Sequence, residues 1–259
     1  MVLRLNLDAA SPGFVLALQF LTRLPVSSGA EFSEAAMRQS PGWYPAVGVV
    51  VGGLSALVFA LVALVLPQGV AALLAVGAGL LVTGALHEDG LADLCDGLGG
   101  ARGDRARALE IMRDSRIGAY GAIGLVMALA LRVTALALLP LWVVPPALIA
   151  GAVLSRASMS RALTGADYAR AQGAASAVAG EMPDAVLHRA LITGALAALL
   201  AWPFLGFLGG LLGLAGLALA HLAIRRLYEP RLGGYTGDCL GAVQIASEIG
   251  FLVGLMAGL

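Results

Sequence analysis

Residues 69–86 read GVAALLAVGAGLLVTGAL, and residues 87–100, which follow directly, read HEDGLADLCDGLGG. The first stretch has no charge and approaches the roughly 20 residues that a helix needs to cross a bilayer. The second carries Glu88, Asp89, Asp93 and Asp96. A greasy segment running into a carboxylate cluster is the pattern of a membrane helix that ends at a polar site. The rest of the chain agrees. Of its 259 residues 59% are hydrophobic and 12% charged, and the mean hydropathy is +0.90. Soluble domains carry roughly 25% charged residues.

Working outward, the pattern predicts an all-α, polytopic membrane helical bundle forming one domain over residues 1–259. About seven spans are expected: Trp43–Leu66, Gly69–Leu86, Gly118–Leu139, Val143–Leu163, Val186–Leu205, Gly206–Leu227 and Asp238–Gly258. An earlier apolar segment, Phe14–Leu24, is too short to span and is expected as a re-entrant or interfacial helix. In LGFLGGLLGLAGLALA (205–220), Gly206, Gly209 or Gly210, Gly213 and Gly216 fall on roughly one helix face, the signature of close helix packing. Cys95 and Cys239 make no disulfide framework. Net charge is zero, which gives no case for a nucleic-acid partner; membrane lipid is the expected surrounding. Oligomerisation is compatible with the pattern but not dictated by it.

Every cation other than histidine is arginine, and the arginines are asymmetric. Arg102, Arg105, Arg107, Arg113 and Arg116 lie between the second and third spans. Arg161, Arg170 and Arg189 attend the next segment on that side, and Arg225, Arg226 and Arg231 the last. The alternate loops, around 67–68, 140–141 and 202–206, have none. The Arg-bearing side is therefore expected in the cytoplasm, with the C-terminus outside.

Three motif regions meet on that side: residues 87–100, the segment DRARALEIMRDSRIGAYG (104–121), and GGYTGDCLGA (233–242). They define catalytic regions at 87–117 and 228–241. In a helix, Asp89, Asp93 and Asp96 lie within roughly 60° of one another. Three carboxylates on one stripe repel unless a cation sits among them, and oxygen-only ligands suit magnesium, manganese or calcium. Gly90, Gly97, Gly99 and Gly100 would be poor choices in a merely structural helix. Glu88 points about 100° away, as a substrate-side group or a plain surface charge; His87 and Cys95 are read as capping and packing residues. Arg113, Ser115 and Arg116 suit a phosphate, because arginine forks bind phosphate oxygens bidentately. Asp114 and Asp238 are expected to join Asp96 as catalytic carboxylates. One would complete the metal shell and the other steer an attacking hydroxyl, in either order. Thr236 is a candidate cap for the last helix. Arg132, Arg156 and Glu248 are the ionisable groups deepest within spans, where charges face a polar interior. Metal, arginines and a membrane-edge site describe phosphoryl-type transfer.

LQFLTRLPV (18–26), HEDGLADLCDGLGG, LEIMRDSRIGAYGAIGLV (109–126) and GGYTGDCLGA together resemble the cobalamin synthase family, in the expected order over nearly the whole chain. The resemblance implies an inner-membrane enzyme that uses magnesium. It would join adenosylcobinamide-GDP to α-ribazole, or its 5′-phosphate, and release GMP. The acidic motifs carried over are Glu88, Asp89, Asp93 and Asp96, then Asp114, then Asp238. A looser likeness to CDP-alcohol phosphotransferases fails at their D-x-x-D-G-x-x-A-R pattern, because LGGAR follows DLCDG here. A transporter would place essential charges near the midplane and usually repeat its halves; no repeat is evident.

Overall fold

The computed structural model describes residues 5–6, 10–27, 33–170, 176–180 and 182–259. Its described helices are α1 (Pro12–Leu21), α2 (Glu34–Gln39), α3 (Tyr44–Val62), α4 (Gln68–Thr83), α5 (Leu86–Gly100), α6 (Arg105–Ile111), α7 (Ala119–Leu138), α8 (Val144–Ala162), α9 (Asp184–Leu205), α10 (Phe207–Leu232) and α11 (Gly237–Ala257). A 3-10 turn (Ser40–Trp43) joins α2 to α3, a second covers Ser176–Val178, and a two-residue parallel pairing links Leu5–Asn6 to Val26–Ser27. The expected helical membrane bundle is what forms.

Among the described residues, five helical segments are long and apolar enough to cross a membrane, and six if the bent pair α4–α5 counts as one. The expected seven are not all matched. The fourth expected span is present as α8, but that helix is buried over most of its length and carries Ser155, Arg156, Ser158, Ser160 and Arg161. It sits inside the bundle, packed by α3, α9 and α11, so its surface faces protein and does not need to be apolar all round. Conversely, α3, α4, α7, α9 and α10 turn large aliphatic side chains outward, such as Leu61, Leu81, Val126, Leu199 and Leu219. Those exposed stripes are what lipid would cover.

Backbones approach closely along glycine seams. Gly209, Gly213 and Gly216 of α10 face Leu255, Phe251 and Gly250 of α11, as the spacing suggested, whereas Gly210 faces Trp202 of α9. Gly48 and Gly52 of α3 lie against the backbone of α8.

The second expected span does not run straight into the acidic cluster. It ends at Thr83, and α5 leaves at 90°. Gly84 and Ala85 make the corner, both left-handed at φ 66° and 57°. Glycine adopts that conformation freely, and alanine does so at a cost of roughly 1–2 kcal/mol. The corner is held from the N-terminal motif: the Arg23 N–H donates to the Val82 carbonyl at 2.7 Å, and the Arg23 guanidinium fills the space that a Cβ on Gly84 would take.

Candidate active site

The corner lays α5 across the ends of α7 and α11. Its contact with α11 is backbone to backbone. A Cβ on Gly90 would lie 2.9 Å from both the Cα and the carbonyl oxygen of Asp238, and one on Gly241 would lie 3.0 Å from the His87 carbonyl oxygen. Asp238 is thereby brought to the carboxylate helix from the far end of the chain. Asp89 is exposed, Asp93 half-buried, and Asp93 is within electrostatic reach of Asp238, Asp89, Asp96 and Arg170. Thr236 caps α11, accepting from the Cys239 N–H at 3.3 Å. With that role filled, Asp238 pairs with Arg170 at 2.8 Å.

Arg170 was not singled out by its sequence context, where it read only as one more cytoplasmic charge. Its side chain is 10% exposed, and besides Asp238 it reaches the Met112 carbonyl at 3.3 Å. It is placed by a short parallel bridge: Ala169 N–H donates to Tyr235 O at 2.8 Å and Tyr235 N–H to Asp167 O at 2.9 Å. The only signal available in the sequence was charge balance, since a carboxylate cluster beside a membrane demands a cation.

The expected stripe is not realised as three convergent carboxylates. Asp96 is buried and accepts from the Gly118 N–H at 2.7 Å and the Gly121 N–H at 2.8 Å. It therefore caps α7, satisfying orphan amides and meeting the positive end of that helix. Among the described residues, no three His, Cys, Asp or Glu side chains are arranged to hold a metal ion.

Asp114 does not join Asp93 and Asp238. It lies in the turn before α7 and takes a bidentate grip from Arg116, with Oδ2 to Nη2 at 2.6 Å and Oδ1 to Nε at 3.0 Å. These hydrogen bonds hold its carboxyl down at about 2. A group so far below neutral is a fixed charge, not a proton acceptor at physiological pH. Arg113 and Ser115 are exposed in the same turn. Arg113 and Arg116 thus stand at the surface, one and four residues beyond Met112, whose carbonyl Arg170 binds.

Glu88 belongs to a different constellation. It is buried, and its Oε1 pairs with Arg132 Nη1 at 2.8 Å; Arg132 Nη2 reaches Glu248 at 2.9 Å. Gln244 bonds Glu248 at 2.7 Å and Ser155 at 2.9 Å. A cavity of about 20 Å³ lies among His87, Glu88, Arg132, Arg156, Gln244 and Glu248, a space on the order of one or two waters. The substrate-side reading of Glu88 gives way to an internal ion-pair network tying α5, α7 and α11 together. Of the three deep charges, Arg132 and Glu248 pair with each other, and Arg156 donates to the Ala152 carbonyl at 3.1 Å.

Comparison with known proteins places this arrangement. The family model for cobalamin-5-phosphate synthase matches residues 13–256. The chain belongs to that family. Members that it resembles include an adenosylcobinamide-GDP ribazoletransferase of Leptothrix cholodnii, 44% identical over an alignment that covers 95% of each chain. A ribazoletransferase of the same name from Azorhizobium caulinodans is 44% identical over 93% of each. Another, from Albidiferax ferrireducens, is 37% identical over 95% of this chain and 98% of its own. No solved structure matches. The cobalamin synthase resemblance read from the four motifs is thus shown, and the looser CDP-alcohol and transporter readings are not favoured.

Proposed function

We propose that this membrane enzyme is an adenosylcobinamide-GDP ribazoletransferase whose active site is the face where α5 meets the mouth of α11. A hydroxyl of α-ribazole, or of its 5′-phosphate, attacks the phosphorus that carries the cobinamide. The new P–O bond forms as the pyrophosphate P–O bond breaks, and GMP departs, leaving adenosylcobalamin or its 5′-phosphate. The hydroxyl proton passes to a base or to water. The observation that carries this reading is the approach of Asp238 to Gly90, which sets an α11 carboxylate beside Asp89 and Asp93 in a chain of this family.

Magnesium fits the donor set. Asp89, Asp93 and Asp238 offer only hard oxygen ligands, and Arg170 supplies a single positive charge against three negative ones. Since no three of the described acidic side chains are arranged to hold it alone, carboxylates among Asp89, Asp93 and Asp238 would share the ion with pyrophosphate oxygens of the substrate, while Asp96, expected among the ligands, is engaged at the start of α7. When bound, magnesium neutralises charge on the pyrophosphate and the leaving phosphate. Arg170 keeps Asp238 in place. Arg113 and Arg116 receive phosphate oxygens at the rim, beside Ser115, with Asp114 orienting Arg116. The Arg-bearing segments around the site support a reading in which it faces the cytoplasm from the inner membrane.

The test is direct. The purified protein should release GMP from adenosylcobinamide-GDP only when α-ribazole (or its 5′-phosphate) and magnesium are both present. GMP release without a ribazole acceptor, or a corrinoid product formed in chelator, would refute the reaction or the metal respectively.

A further inference from the structure

A second cavity lies away from the carboxylate face. It is a groove of about 580 Å³ between α8, α9 and α10, within the roughly 300–1,000 Å³ of small-molecule sites. Leu154, Leu191, Leu217 and Leu222 give it an apolar wall, and Ala157, Gly194 and Ala218 give it depth. Two of its own lining residues, Leu191 and Leu222, are exposed, as part of the surface a bilayer would cover. Ser158 and His221 also line it, but they satisfy one another at 2.8 Å. One end is cationic. Arg161, Arg225 and Arg226 line it with Glu229. Glu229 pairs with Arg225, Arg161 bonds Thr164, and Arg226 is exposed with no ion pair among the described residues.

We infer that this groove binds one anionic phospholipid, with an acyl chain along the leucine wall and the phosphodiester at Arg161 and Arg226. Charge complementarity selects the occupant: an apolar trough that ends in unneutralised arginines at the expected cytoplasmic edge matches an amphiphile with a negative head. Arginine binds such phosphate oxygens with paired N–H donors, and basic pockets between membrane helices on that side take anionic lipid heads.

The experiment uses the full chain in detergent, titrated with palmitoyl-oleoyl phosphatidylglycerol or the phosphatidylcholine of the same chains, with bound lipid counted by native mass spectrometry. One phosphatidylglycerol should be retained in preference to phosphatidylcholine by about ten-fold or more, the size of one charged hydrogen bond. In the double variant Arg161→Gln, Arg226→Gln, built on two exposed side chains, that preference should vanish while phosphatidylcholine binding stays unchanged. Ala218→Trp should weaken both lipids by filling the trough. Equal binding of the two lipids by the unaltered protein, or a preference that survives the arginine changes, overturns the proposal. Displacement by excess inorganic phosphate would mark a phosphate site instead. A dimer that Ala218→Trp dissociates would mark a second copy of the chain as the occupant. None of these readouts uses the transferase substrates, so they stand apart from the fate of the proposed reaction.

Discussion

Asp93 and Asp96 share one helix and one stripe, yet their surroundings give them different work. Asp96 accepts two backbone N–H groups at the start of α7, whereas Asp93 is half-buried among like charges. Asp96→Asn removes the negative acceptor from that cap and should cost about 1–2 kcal/mol of stability, read as a lower melting temperature in detergent. Asp93→Asn relieves repulsion, so it should leave melting unchanged or raised while turnover falls on the order of 100-fold or more. Equal thermal behaviour of the two variants would show that they share a role. Helical spacing made the stripe legible from sequence, but Asp96's partners are amides more than twenty positions away, which no period reveals. The buried pair network has its own test. Arg132→Met strands Glu88 and Glu248, and breaking one side of a buried pair costs roughly 3–5 kcal/mol. Adding Glu88→Gln should recover part of that loss in the same melting assay.

At the scale of helices, the corner at Gly84–Ala85 and the seam at Gly90 and Gly241 decide whether the site exists. The apolar run and the acidic run were both legible as helices. The 90° turn between them was not, although Thr83–Gly84 carries the signal of a helix C-terminus followed by a left-handed glycine. Without the turn, Asp238 reads as a distant mouth of another span; with it, α11 meets α5 at the backbone. Gly90→Val should therefore force the α11 entrance away from α5. An overpacked contact of this kind costs typically 1–3 kcal/mol, and the turnover loss should exceed that stability loss, because Asp238 moves with the backbone it belongs to. Gly53 provides the contrast: nothing lies within 4 Å of a Cβ there, so Gly53→Ala should keep full turnover and stabilise α3 by about 0.5–1 kcal/mol. Normal turnover in Gly90→Val would remove the α5–α11 contact from the mechanism.

For the whole molecule, hydropathy located the spans, and the arginine pattern suggested which ends share a side. The fourth expected span is present as α8, yet it is less apolar than its neighbours, because a helix wrapped by protein does not need a lipid-facing composition. The contacts supply what composition left open. Arg105 bonds Leu232 O at 2.6 Å and Ala169 O at 3.3 Å, Arg170 joins Asp238 to Met112, and Arg225 bonds Thr164 O at 3.1 Å. The three Arg-bearing segments therefore gather at one end of the bundle. At the other, Gln68 bonds the Leu136 and Leu139 carbonyls at 2.9 and 2.7 Å, and Leu259 lies 3.6 Å from where a Cβ on Gly206 would stand. All of those belong to the Arg-free ends of their helices. Lys and Arg near helix ends retain those ends in the cytoplasm, so reporters fused after Arg107 and after Arg231 should be active as cytoplasmic fusions, and one fused after Leu259 as a periplasmic fusion. A cytoplasmic reporter after Leu259 together with one after Arg231 would mean that α11 does not cross. In that case Asp238 would not sit at the mouth of a span, and the proposed site would lose its third carboxylate.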